Sequence, residues 1–357
     1  MTYKSGPDQG LVETREYEVE VGDADEMMRI LLEMGYEHSA DLRKERRKVE
    51  IPPYTICLDD VECLGSFIEI ERMLQDEDER TVEEIEHEIL AKIVELGLSG
   101  YPREPLGYGA LIDLYYNAHE DARPQISEVE LHKKSKKGKP RTSITKEVEV
   151  KARVGNKNNL LDKITEYGIK LEAPILQDDA IWIPPDVTMQ YVYGDSHLDW
   201  AAYLERRIPV IRLRTQTSVQ EISRGETGLM SGSTLLTLKI PLSNELDNEE
   251  YEVSISDKFE MAHLLDAIGY HAAIRFQKIR QKGRWGDYET CVDELSRVGT
   301  FLELEKIISD GEESGAVQEE LMRQLAELGI SRDDCTESGY DTLVYREEKK
   351  AGRLRDS

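Results

Sequence analysis

EVEVKARV (147–154) is the stretch from which the rest of the chain is read. Glu147, Glu149 and Lys151 alternate with Val148, Val150 and Ala152, the two-residue period of a strand with one charged and one apolar face. The same period recurs downstream. IRLR (211–214) places Arg212 and Arg214 on one face, and TLK (237–239) places Thr237 and Lys239. EYEV (250–253) places Glu250 and Glu252, followed by Lys278, Arg280 and Lys282, then Asp293, then Glu303 and Glu305 in GTFLELE (299–305). The interleaved positions hold Ile211, Leu213, Leu236, Leu238, Leu302 and Leu304, an apolar face that helices must cover. Closing such a sheet into a barrel removes its edges and turns the charged faces into one lumen.

The chain repeats itself. Residues 16–71 align without gaps to 250–305 at a constant offset of 234, with 20 identities in 56 positions. EYEV matches EYEV, Gly35-Tyr36 matches Gly269-Tyr270, and Lys44, Arg46 and Lys48 match Lys278, Arg280 and Lys282. Cys57-x-Asp59 matches Cys291-x-Asp293, and GSFIEIE (65–71) matches GTFLELE. With small gaps the match extends to Thr2-x-Lys4 with Thr237-x-Lys239, and to Gly107-Tyr108 with Gly339-Tyr340. Residues 146–236 have no counterpart, so the first copy starts in mid-domain. The expected organisation is a partial copy over 1–120, a basic linker over 121–145 containing KKSKKGKPR (133–141), a complete copy over 146–347 and a charged tail over 348–357. A truncated reading frame is the favoured account of the partial copy. Completion by another chain, or survival as an open half, are the alternatives. Without the opening strands it is not expected to be an active site alone.

Short helices follow some of the strands. Residues 156–167 gather Leu160, Leu161, Ile164 and Tyr167 before Gly168, and 257–268 gather Met261, Leu264, Leu265 and Ile268 before Gly269. Residues 23–34 repeat this before Gly35, and 81–96 opens with a Thr81-to-Glu84 capping box. Antiparallel strands with a few covering helices make the fold class α+β.

The signs segregate by strand. Acidic pairs suit Mg²⁺ or Mn²⁺, which prefer carboxylate oxygens, and basic pairs suit phosphate oxygens. A triphosphate needs cations from metal and side chains before its phosphorus atoms can be attacked. Any single charged strand is better explained as the wet face of a sheet. Seven segments with these residue types on one face, most of them repeated, favour a shared lumen.

This ordered set, ExExK, IRLR, TxK, ExE, KxR, a lone Asp and a final ExE, resembles the CYTH, or triphosphate tunnel metalloenzyme, superfamily. CLDDVECLGSFIEIE (57–71) and EYEVEV (16–21) resemble its class IV adenylate cyclase branch. The resemblance implies an eight-stranded antiparallel closed β-barrel with covering helices, and divalent-metal chemistry on a triphosphate. It implies Glu147, Glu149, Glu303 and Glu305 as metal ligands, with Glu252 and Asp293 nearby. It implies Lys151, Arg212, Arg214, Lys239, Lys278 and Arg280 as the phosphate clamp and catalytic set. Ser254 stands where the partial copy has Glu20, and 177–211 reads as long and irregular, which bears on nucleotide recognition.

A net charge of −27 argues against a generally basic nucleic-acid-binding surface. No apolar run approaches a membrane span, no signal peptide is visible, and Cys57, Cys63, Cys291 and Cys335 form no CxxC pair, so a reduced, cytoplasmic protein is expected. The first functional expectation is cyclisation of ATP to cyclic AMP and pyrophosphate. The second is hydrolysis of tripolyphosphate or thiamine triphosphate. The third is non-catalytic polyphosphate or nucleotide binding, which paired carboxylates do not favour. The partner is a nucleoside triphosphate or another triphosphate, and self-association stays open.

Overall fold

A computed structural model of the protein describes residues 1–5, 15–72, 80–119, 145–193, 205–224, 232–244, 246–308 and 312–354. The basic run 133–141 lies outside the described residues. Those described fall into two compact units. One holds Met1–Thr2, Tyr17–Tyr36 and the described residues from 145 onward, and the other holds the rest. The compact units therefore do not follow the repeat boundary near 120: residues 17–36 pack with the complete copy.

In the larger unit the alternating segments are strands. They are β6 (Thr145–Val154), β7 (Ile175–Ile183), β8 (Val210–Ser218), β9 (Ser233–Asn244), β10 (Asp247–Ile255), β11 (His271–Trp285), β12 (Tyr288–Leu295) and β13 (Gly299–Ile308). They pair in the order β10-β9-β8-β7-β11-β12-β13-β6, and β10 pairs back onto β6, closing an eight-stranded antiparallel barrel. A two-residue strand, Cys335–Thr336, adds to β6. Closure leaves the apolar faces outside, and helices cover them. Helix α4 (Lys157–Glu166) and helix α8 (Ser314–Glu327) pack Leu160, Ile164, Leu321 and Leu325 against Val150, Leu302 and Leu304. Each of these side chains is at most 3% exposed, so burial at ~25 cal/mol per Å² of apolar surface holds the wall together.

The expected helices form. Asp257 caps α7 (Lys258–Ala267) and Asp23 caps its repeat counterpart α1 (Ala24–Glu33), each accepting two backbone N–H bonds. Two short helices, Met189–Tyr193 (α5) and Val219–Ser223 (α6), lie between strands. The expected tail begins in a helix instead: α9 (Tyr340–Lys350) runs past 347 because Val344 and Tyr345 pack into the cluster under β7 and β11.

In the smaller unit, β3 (Lys44–Ile51), β4 (Tyr54–Val61) and β5 (Gly65–Arg72) form a three-stranded sheet. Helices α2 (Val82–Glu95) and α3 (Tyr108–Ala118) follow, α2 opening with the Thr81–Glu84 capping box. Thr2–Ser5 (β1) and Arg15–Glu18 (β2) make a separate pair. Leu58 and Ile68 are 49% and 44% exposed, whereas their counterparts Val292 and Leu302 are 1% and 0%. In the complete copy, β6 and α4 supply much of that cover.

Candidate active site

Register places opposite charges directly across the lumen strands. Asp179 faces Arg214, Lys239 faces Glu250, Arg280 faces Asp293, and Lys151 faces Glu303. Each pair closes. Arg214 donates from Nε and Nη2 to the two Asp179 oxygens at 2.7 Å each. Arg280 donates to both oxygens of Asp293 at 2.8 and 2.5 Å and to Glu303 at 2.6 Å, and Lys278 reaches Asp293 at 3.1 Å. Lys239 bonds Glu250, and Lys151 contacts Glu149 at 3.0 Å and Glu303 at 3.4 Å. Burying these ions is costly, and the mutual attraction offsets the cost only because nearly every oxygen has a donor.

Three carboxylates break the pattern. Glu305 faces Glu149 on β6 and Glu289 on β12, so a row of like charges crosses three neighbouring strands. Directly opposed like charges destabilise a sheet. Oxygens of Glu149, Glu303 and Glu305 lie within 4.8 Å of one another, as do ligand atoms of Glu289, Cys291 and Glu305. Burial and the charge of Glu303 push the Glu149 carboxyl above its ordinary range. A hard divalent cation fits this oxygen set and would relieve its repulsion.

The cationic side differs. Burial and Arg280 push Lys278 down to about 8. Burial disfavours charge on Lys151, but Glu149 and Glu303 outweigh it and hold the ammonium. Burial likewise opposes ionisation of Asp179, yet Arg214 holds its carboxyl well below the usual range. Arg212 donates to Thr237 at 3.1 Å, while its buried Nε has no hydrogen-bond partner among the described residues. Tyr340 lies under both Lys151 and Lys278, with the ammonium nitrogens 4.0 and 4.4 Å from the ring centre.

These groups surround a cavity of about 540 Å³. Of the residues expected in the site, Glu149, Lys151, Arg212, Arg214 and Lys239 line it, as do Glu252, Lys278, Arg280, Glu303 and Glu305. The side chain of Glu147 lies outside those described. Asp293 is fully buried with both oxygens taken by Lys278 and Arg280, which makes it their counter-ion. Glu252 accepts from Thr237 at 2.8 Å and is 45% exposed, so it stands at the mouth. Asp179, Glu289 and Tyr340 also line the cavity and were missed. Asp179 shares a face with Gln177 and Ile181, a period-2 signal inside a stretch read as irregular. Tyr340 was visible as the repeat partner of Tyr108, whose ring lies under Lys44 in the partial copy as that of Tyr340 lies under Lys278.

A family model for the CYTH domain matches residues 1–103 and 145–340. The chain belongs to the CYTH family. A candidate adenylate cyclase of Methanocaldococcus jannaschii is 28% identical over 196 residues, covering 54% of this chain and 95% of the relative. Among solved structures, a Pyrococcus horikoshii protein aligns with TM-score 0.44 and 20% identity, over 56% of this chain and 98% of its own. A candidate adenylate cyclase of Vibrio parahaemolyticus aligns at 0.43 and 17%, over 56% and 98%. A candidate adenylyl cyclase of Hippeastrum, described as having a dominant triphosphatase activity, aligns at 0.37 and 18%, over 58% and 97%. In this CYTH chain the partial copy repeats one half of the charged set. Arg46 bonds Asp59 at 2.7 and 2.6 Å and also bonds Glu69, but Arg46 and Glu69 are 32% and 34% exposed where Arg280 and Glu303 are 6% and 3%.

Proposed function

We propose that this protein is a metal-dependent enzyme acting on a nucleoside triphosphate, and that it cyclises ATP. The observation that carries the reading is the division of one lumen into a carboxylate row, Glu149–Glu305–Glu289, and a cationic wall. Glu149, Glu303 and Glu305 would hold Mg²⁺ or Mn²⁺, which supplies Lewis-acid neutralisation of phosphate charge. Arg212 and Lys239, whose side chains line the lumen, bind phosphate oxygens. Arg214 and Arg280 are oriented by Asp179 and Asp293, and Arg280 is held by Glu303 as well, so their guanidinium groups are already positioned when charge develops. Ile181, Val192, Tyr193, Val210 and Phe276 give the same cavity an apolar side, which suits a nucleoside better than an inorganic phosphate chain. The relative from Methanocaldococcus jannaschii adds support.

In cyclisation the ribose 3′-oxygen forms a bond to the α-phosphorus, the bond from that phosphorus to the bridging oxygen breaks, and pyrophosphate and a proton leave. Hydrolysis at the γ-phosphorus uses the same clamp. Incubation of the full chain with ATP and Mg²⁺ or Mn²⁺, with products separated chromatographically, tests the assignment. Cyclic AMP with pyrophosphate supports it. ADP with phosphate, or no product, overturns cyclisation.

A further inference from the structure

Residues 17–36 come from the partial copy and pack in the compact unit of the complete barrel. Val21 forms an antiparallel bridge with Ile255, which at the offset of 234 is its own repeat counterpart. The Gly22 N–H donates to the Ser254 carbonyl at 2.8 Å, and the Ser256 N–H donates to the Glu20 carbonyl at 3.0 Å. Gly22 corresponds to Ser256 and Glu20 to Ser254, so these bonds are one contact and its image about a local two-fold, as in an isologous interface. β6 pairs with β10 only through Asp247–Glu250, and residues 20–22 bind further along that strand. Val19, Met27 and Ile30 are buried, at 1%, 4% and 0% exposure, which lays α1 against β10. Glu26 pairs with Arg29 at 2.7 Å. Asp23 and Glu26 then line the lumen cavity beside Glu250 and Glu252.

We propose that α1 of the partial copy forms a lip of the lumen, and that Asp23 and Glu26 select triphosphates ending in a neutral organic group with N–H donors over longer inorganic polyphosphate. This rests on the triphosphate reading above. The first phosphates meet Arg212, Lys239 and the deeper guanidinium groups. A phosphate chain that continues outward meets carboxylates, whereas an amino-bearing base meets hydrogen-bond acceptors. Placing anions against anions at a mouth is how a site rejects a competitor that its clamp would otherwise hold.

The test compares the full chain with its Asp23→Asn/Glu26→Gln double variant. Asn is as good a helix cap as Asp, and a melting curve verifies that folding is kept. Calorimetric affinities are measured, with Mg²⁺, for ATP, tripolyphosphate and linear polyphosphate of about fifteen units. The variant is expected to bind the long chain at least about fivefold more tightly, since two opposing charges near the mouth are removed, with ATP and tripolyphosphate changed less than about twofold. An equal gain for all three ligands, or no gain for the long chain, overturns the selection role while leaving the triphosphate reading intact. Failure of both proteins to bind ATP and tripolyphosphate overturns both.

Discussion

Arg280 grips Asp293 through two hydrogen bonds of 2.8 and 2.5 Å in a fully buried pair. Arg46 grips Asp59 in the partial copy with the same two-bond geometry, but at a partly open surface. Chemistry is shared, and burial is not. Removal of Arg280 leaves buried Asp293 with only Lys278 and buried Glu303 with only Lys151 as cationic partner, so Arg280→Met should cost about 3 kcal/mol. Arg46→Met should leave the unfolding of the complete barrel nearly unchanged. Urea unfolding followed by tryptophan fluorescence checks this, because Trp182, Trp200 and Trp285 all lie in the complete copy.

The carboxylate row should be dispensable for folding and required for turnover. Glu305→Gln removes the middle charge of a row of three, opposed by Glu149 and Glu289, so the metal-free protein should keep or slightly raise its melting temperature. Turnover should fall by about 10²-fold or more, in line with losing a preorganised transition-state contact. Excess EDTA should abolish wild-type turnover, and added Mn²⁺ or Mg²⁺ should restore it. Full activity in EDTA contradicts the metal role.

Arg212→Ala tests the clamp. The Arg212 side chain lines the lumen beside Thr237 and Glu252, so its loss should raise KM by about tenfold with a smaller fall in kcat, the pattern of lost ground-state binding. Steady-state kinetics on ATP distinguishes this from a fall in kcat alone.

Asp178 provides a pH test outside the lumen. Burial opposes its charge, but Arg275, Lys258 and Gln277 bind the carboxylate and hold it down to about 2. The folded value lies below the ordinary 3.8, so the stabilisation is complete above about pH 4 and fades as the pH falls through about 2. Asp178→Asn should lose about 1–2 kcal/mol at pH 7, discounted because Arg275 is largely exposed, and the gap to wild type should shrink below pH 4. A gap constant from pH 7 to 3 would contradict it.

Docking of α1 can be read from stability. Ile30 is 0% exposed, and Ile30→Ala should cost about 2–4 kcal/mol through lost transfer energy and a residual cavity. Because 17–36 packs with the barrel, the tryptophan-reported midpoint should drop. An unmoved midpoint would show that this segment is not part of the barrel's cooperative unit.

Local patterns reported the barrel well. Alternation at Glu149-Val150-Lys151 and at Leu302-Glu303-Leu304-Glu305 identified strands and their charged faces, since a strand's side-chain direction follows from backbone geometry alone. Asp179 was harder to see because apolar Ile175 and Ala180–Ile183 surround it, and a strand buried on both faces loses its alternation. Asp293 was read as a metal-side acid, and only the register across β11 and β12 shows both its oxygens taken by Lys278 and Arg280.

The sequence by itself determined the strands, the repeat at an offset of 234 and the sign of each lumen face. The strands and signs follow from residue type and period within one short segment, and the repeat follows from comparing two stretches of the chain. Only the tertiary structure decided that Glu305 stands across from both Glu149 and Glu289, and that Val21 pairs with its own counterpart Ile255. Register and docking join residues far apart in the chain. They are set by which apolar faces can be buried together and which strand edges are left to pair, and no local period encodes that choice.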